Sequence, residues 1–388
     1  GIGLLFGLLG GRGEGASLAV YIPGRDALDQ FLYENPQRIL GRRVEAARLT
    51  LENPYILAPH LLAAAREAPL EPGDEEFFGP QYGRVAGELE EAGALLRSGG
   101  RLVYAGVGSP ARGISLRSAS SETVVIADGE GELVGTAEAA RAPSELHPGA
   151  VYLHRGAAYE VERLDLAARR ALVRRVPDRF YTRPRVETDV EILEELERRP
   201  LSGGALLHRG RVRATDAVTH YKKVRVADDR EVGVFPLDLP EVSLETQALW
   251  VTLPPPPPEA RPSFEGFGGA LHAAEHGLIG LLPLFAMCDR ADIGGLSTPV
   301  HRQTGRPTIF VYDGYPGGVG IAHRGFDAFP SLARDALGAI VRCPCERGCP
   351  GCVQSPKCGN WNEPLSKEGA VWLLRFVLGQ VDRHPALS

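Results

Sequence analysis

Apolar positions along the chain change period several times, and each change marks a new element. Residues 17–22 (SLAVYI) form a short apolar run closed by Pro23 and Gly24, which predicts a buried strand. Leu28, Phe31 and Leu32 then recur at helical spacing across residues 26–34. This reads as the tail of an α/β domain. The pattern next predicts a helix over 55–66, a turn at 69–73, a second helix over 82–96 and, after Gly99 and Gly100, a strand over 101–105. That order fits a winged helix and equally a helical linker domain.

Residues 123–250 are dense in short β-runs (124–126, 132–134, 151–153, 159–161, 171–173, 224–226 and 232–235) broken by Gly, Asp and Pro, which predicts a barrel-like β domain. The unbroken prolines at 254–258 predict a stiff polyproline II spacer and a domain boundary. Beyond it the pattern gives a long apolar helix over 265–287, a buried strand over 308–312, a helix over 326–341 and a last helix over 366–381. The expected fold class is multidomain α+β. A winged helix spans 51–122, a β-rich barrel-like domain 123–253, the linker 254–261 and a zinc-stapled α/β domain 262–388.

Composition adds constraints. The 388 residues are 44% hydrophobic and 24% charged, as in an ordinary soluble protein, and the net charge of -6 excludes a wholly basic nucleic-acid binder. The apolar run at residues 1–10 (GIGLLFGLLG) is too short to span a bilayer and carries no basic n-region, so no membrane partner is expected and a cytoplasmic location is. The sole methionine is Met287, so a chain starting at Gly1 reads as one that lost its initiator or was cut from a longer one.

Two tracts run against the global charge. Residues 163–185 hold eight arginines against two acids, and residues 198–225 eight Lys or Arg against one. Arginines interleaved with aromatic rings suit a single strand, because guanidinium meets phosphate while rings stack on bases. The candidate contacts are Arg169, Arg170, Arg174, Arg175, Arg179, Phe180, Tyr181, Arg183, Arg211, Arg213, Lys222 and Lys223. Solvated faces of β-strands are the plainer reading of the same tracts.

Five of the six cysteines crowd into residues 343–358. Cys349 and Cys352 have Cys-x-x-Cys spacing, bent by Pro and Gly, and Cys343 with Cys345 supplies a second pair; Cys358 is an alternative ligand. Structural Zn2+ is the expected cofactor. A disulfide cluster fits less well, since cysteines one residue apart bridge poorly, and thiolates alone also suit an iron–sulfur cluster.

Two shorter motifs carry other chemistry. HAAEH at 272–276 is a His-x-x-Glu-His pattern in which His272 and His276 share a helix face and Glu275 would polarise a metal-bound water, so a zinc-dependent hydrolase is one alternative function. Packed helix-surface histidines are the plainer reading. DGYPGGVG at 313–320 loosely resembles a phosphate loop but lacks Gly-Lys-Ser/Thr, so Asp313 and Tyr315 read as structural. No Walker A sequence, Asp-Glu box or nucleophile elbow occurs. A zinc-stabilised protein-interaction scaffold is a further alternative, supported by the net negative charge and the proline run.

HAAEHGLIGLLPLF (272–285), CDRADIGG (288–295), FVYDGYPGGVG (310–320) and CPCERGCPGCVQSPKCGN (343–360) together resemble the MZB zinc-binding domain of MrfA-type DEAD/DEAH-box superfamily 2 DNA-repair helicases. ENPYIL (52–57) and VYAGVGSPARGISLR (103–117) resemble their winged-helix region. The resemblance implies that 1–50 is a remnant of the second RecA-like motor domain with its linker. It also maps the zinc onto Cys343, Cys345, Cys349 and Cys352, and turns His272 and His276 toward a structural role. Where that family has an arginine-rich motif reaching the ATP phosphates, residues 7–13 read GLLGGRG, leaving only Arg12. The implied function is the accessory part of an ATP-dependent helicase, with DNA (single-stranded or a junction) and the helicase motor domains as partners. ATP would matter only through those domains.

Overall fold

The computed structural model of the protein describes residues 20–40, 50, 53–114, 122–255 and 264–381. Helix α1 (Ala27–Glu34) starts at Asp26, whose side chain accepts from the Asp29 N–H, and buries Ala27, Phe31 and Leu32. These three enter the largest core, beside the C-terminal helices. Residues 20–22 differ from the expected strand. They have no strand partner among the described residues, and Val20 and Ile22 are 72% and 83% exposed. Residues 17–19 and the 7–13 stretch lie outside the described residues.

The winged helix follows as α2 (Pro54–Glu67), α3 (Tyr82–Glu91) and the antiparallel hairpin β1 (Leu95–Ser98) and β2 (Arg101–Tyr104). Gly99 and Gly100 turn the hairpin at φ of 58° and 82°, which only glycine adopts freely. Leu61, Val85 and Leu95 form the centre of its core. Helix α3 stops short of the expected residue 96 because Leu95 and Leu96 pair with Tyr104 and Val103 in the wing.

The β-rich stretch makes two sheets. The first has the order β4-β3-β7-β6-β5, built from β3 (Thr123–Asp128), β4 (Leu133–Glu138), β5 (Val151–His154), β6 (Ala157–Asp165) and β7 (Arg170–Val176). The second is built on two long strands, β8 (Phe180–Pro200) and β9 (Leu206–Arg225). β9 pairs with β10 (Glu231–Pro236) near one end and with β11 (Val242–Thr252) near the other. β11 continues onto β13 (Thr308–Asp313), which pairs with β12 (Ile293–Thr298). This curled sheet therefore crosses the proline run, so strands from both sides of it share one set of hydrogen bonds. Of the prolines, 254 and 255 are among the described residues.

Helix α4 (Gly269–Leu281) is the hub of the C-terminal region, and every one of its 13 residues is buried. It packs against β12 and β13, α1, α5 (Ile321–Arg342) and α6 (Lys367–Val377). Small residues allow that approach: a Cβ on Gly277 would sit 2.9 Å from Ile340, and one on Gly269 would sit 3.2 Å from the Leu365 backbone. Ser366 caps α6 by accepting from the Gly369 N–H at 3.1 Å. No helix among the described residues is long and apolar enough to cross a membrane.

Candidate metal centre and nucleic-acid interface

Helix α5 hands the chain directly to the cysteine loop, with the Cys343 N–H still donating to Ala339 O. Cys343, Cys345, Cys349 and Cys352 then fold back onto one another. Sulfur–sulfur separations are 3.5 Å for Cys343–Cys345, Cys343–Cys349 and Cys345–Cys352, and 3.9 Å for Cys349–Cys352. Zn–S bonds of about 2.3 Å give a tetrahedron with edges of about 3.8 Å, so the four thiols fit a structural zinc. None is at disulfide distance, and all six cysteines are free.

Contacts around the loop shape this geometry. Gly348 has φ of 108°, and a Cβ there would lie 2.5 Å from Val353. Lys367, at the start of α6, donates to the carbonyls of Cys343 and Cys345 at 2.7 and 2.5 Å. Burial pushes the Cys352 and Cys349 thiols up. Cys345 is also raised by burial, but hydrogen bonds from Cys343, Cys352 and Cys349 outweigh that and lower it.

Cys358 is not in this cluster. It lies against α4, where its Sγ is 3.3 Å from His272 Nε2, and His276 completes a compact trio. Glu275 does not join them. Its carboxyl faces β12, where a Cβ on Gly295 would come within 2.5 Å of it, and it hydrogen-bonds Ser297. The His-x-x-Glu-His motif is therefore on a helix, as expected, but its glutamate is turned away from the histidine nitrogens.

The DGYPGGVG loop is filled from within. Asp313, wholly buried, accepts from the N–H groups of Val319, Gly320, Ile321 and Ala322 at 2.6, 2.8, 3.1 and 2.6 Å. It thus caps α5 and occupies the amides an external phosphate would need. Tyr315 donates to Asp292. Both residues are structural, as the sequence implied.

The basic candidates divide by their partners. Arg169 pairs with Glu122 at 2.7 Å and Arg174 with Glu162 at 3.0 Å. Arg213 is held by Glu191 and Glu245 at 2.7 and 2.6 Å, and Arg211 by Glu194 at 3.5 Å. The second tract is thus largely answered by the acids of β8, strand against strand. Tyr181 donates to Asp229 at 3.2 Å, and Lys223 sits 5.2 Å from the centre of the Phe180 ring. Arg170, Arg175, Arg179, Arg183 and Lys222 have no ion pair among the described residues.

Arg183 and Lys222 are register partners on β8 and β9, so their side chains share one face. Trp361, from the loop after Cys358, lies on that face. Lys222 Nζ is 4.6 Å and the Arg185 guanidinium 5.6 Å from its ring centroid. The indole N–H donates to Pro184 O at 2.9 Å, and the Val186 N–H donates to Gly359 O at 3.2 Å. Sequence reasoning did not single out Trp361 or Arg185 as contacts. The available signal was a lone tryptophan next to the cysteine run.

Fold and site define a winged-helix protein whose curled sheet is backed by a zinc-binding type of cysteine loop. Residues 274–353 match the MrfA Zn-binding domain (MZB), and residues 49–119 match the winged helix domain of ATP-dependent helicase HRQ1. The chain is 35% identical over 356 residues to the uncharacterized ATP-dependent helicase YprA of Bacillus subtilis, covering 88% of this chain and 46% of that protein. It is 29% identical over 394 residues to ATP-dependent helicase hrq1 of Schizosaccharomyces pombe, covering 95% of this chain and 36% of that protein. The crystal structure of the DUF1998 helicase MrfA bound to DNA superposes with a TM-score of 0.53 at 34% identity, over 90% of this chain and 46% of that one. The chain thus carries an MrfA-type zinc-binding domain and an HRQ1-type winged helix domain and is similar to the C-terminal region of these helicases; it spans less than half the length of these relatives.

Proposed function

We propose that this chain is the accessory, DNA-gripping part of an MrfA-like ATP-dependent helicase acting in DNA repair, without an ATPase motor of its own. In this reading it holds single-stranded DNA, or the single-stranded arm of a junction, on the face formed by Arg183, Arg185, Lys222 and Trp361. ATP turnover would come from motor domains joined to it, in the cytoplasm and on the nucleoid. Cys343, Cys345, Cys349 and Cys352 would hold a structural zinc that orders a loop too rich in Gly and Pro to fold alone.

The observation that carries the reading is a tryptophan flanked by two cations, Lys222 and Arg185, of which Lys222 and its register partner Arg183 have no carboxylate partner among the described residues. Such a group offers a ring to a base and charge to the flanking phosphates. Arg170 and Arg175, on β7 of the other sheet, and Arg179, in the turn before β8, are further cations without an ion pair among the described residues. Arg211 and Arg213 would contribute little, because their charge is spent on Glu191, Glu194 and Glu245. The test compares two variants by fluorescence anisotropy of a labelled single strand. Trp361→Ala should weaken binding roughly 5- to 100-fold, the cost of losing one base stack, and Arg213→Ala should change it less than about 2-fold. The opposite ranking would move the grip to the β8–β9 ladder and end this assignment.

A further inference from the structure

We propose that His272, His276 and Cys358 form a second metal site, separate from the four-cysteine cluster, that takes a zinc ion. Their ligand atoms all lie within 4.8 Å of one another. Cys358 Sγ and His272 Nε2 are 3.3 Å apart, and the two imidazole centroids are 4.3 Å apart. Zn–S and Zn–N bonds of about 2.3 and 2.05 Å place sulfur and nitrogen about 3.5 Å apart on a tetrahedron, so the trio needs only small adjustments to close on an ion.

The orientation of both rings is independent support. His272 Nδ1 donates to Pro364 O at 2.9 Å and His276 Nδ1 to Val353 O at 2.7 Å. Each bond fixes the tautomer that leaves Nε2 as a bare lone pair, and in His272 that nitrogen is the one 3.3 Å from Cys358 Sγ. Backbone carbonyls on the far nitrogen are the usual support of a metal-bound histidine. Burial pushes the Cys358 thiol up, and the Asn362 N–H, 3.2 Å from its Sγ, works against that by favouring thiolate. Binding would displace the single Cys358 thiol proton to solvent, because both imidazoles are already neutral donors.

Imidazole and thiolate donors in a buried site suit zinc over magnesium or calcium. Three protein ligands leave one tetrahedral position for water. Glu275, facing Gly295 and Ser297, is not placed to activate that water, so the site is a staple and not a hydrolase. It would pin the 358–362 loop to α4, and that loop presents Trp361 to the basic face. The inference stands on α4 and Cys358 alone and does not depend on DNA binding.

Elemental analysis of the purified full chain should find about two zinc equivalents per chain, falling to about one in Cys358→Ser and in His272→Asn. A wild-type count near one, or a count near two that Cys358→Ser leaves unchanged, would overturn the site and leave Cys358–His272 as a thiol–imidazole hydrogen bond. Should the variants fail to fold, zinc-edge X-ray absorption of the unaltered protein decides. A mixed sulfur and imidazole shell supports the site, and a shell of sulfur alone contradicts it. Loss of the four-cysteine zinc in Cys349→Ser, with the imidazole signal retained, separates the two centres.

Discussion

Four amides converge on the Asp313 carboxylate at the N-terminus of α5, and the side chain has no exposed surface. Asp313→Ala should lower stability by about 3 kcal/mol, because several buried N–H donors lose their acceptor at once. Chemical denaturation with and without the substitution measures this directly. At this scale the sequence pointed to a structural role without showing its form: the loop lacks Gly-Lys-Ser/Thr, and the anion its amides hold is its own first residue. His147 supplies a pH dependence. It is fully buried, lies tilted against Tyr221 with ring centroids 4.5 Å apart, and burial holds its pKa below the usual 6.5. The unfolded chain then binds a proton that the folded chain refuses, so stability falls as pH drops below about 6.5. His147→Phe should flatten that acid-side slope in unfolding curves recorded between about pH 7.5 and pH 5.

Elements are joined by a few polar side chains whose partners are remote in sequence. Asn53 caps α2 by accepting from the Tyr55 N–H at 2.9 Å, and its amide donates to Pro316 O and Gly318 O at 2.8 and 2.7 Å. One residue thus ties the winged helix to the loop that Asp313 organises. Gly317, at φ 71°, must be glycine there, since a Cβ would lie 2.4 Å from Asn53 Oδ1. Asn53→Ala should cost about 2 kcal/mol, the sum of a lost cap and two stranded carbonyls. Faster hydrogen exchange across residues 54–67, with the cysteine loop unchanged, would show the expected local release.

The elements differ in how far sequence disclosed them. Helices α2, α5 and α6 were legible because their apolar residues recur at 3.6 spacing and face a core. β8 was not, because most of its 21 residues face solvent or opposing charges and Val190 alone is fully buried. Its glutamates answer arginines of β9, a pairing that is invisible until register is known. The four-cysteine cluster was legible because its thiols are near neighbours in sequence. Cys358 was not, since its partner His272 lies 86 residues earlier.

At the scale of the molecule, the cysteine loop, α4 and the basic face form one mechanical unit. Lys367 grips the loop, the 358–362 segment grips β8, and Trp361 stands between them. Removing metal with a chelator should therefore lower the thermal midpoint by at least about 5 °C and weaken DNA binding in the same titration. An unchanged midpoint would sever the metal from the fold. The central claim is that this chain itself grips DNA through local cations despite its net charge of -6. Fluorescence anisotropy of a labelled single strand, without ATP and across a salt series, tests it most directly. The account predicts binding at low salt whose logarithm falls linearly with log salt, with a slope near −0.7 for each phosphate neutralised. Absence of binding at low salt would contradict it and assign the DNA grip to parts of the helicase outside this chain.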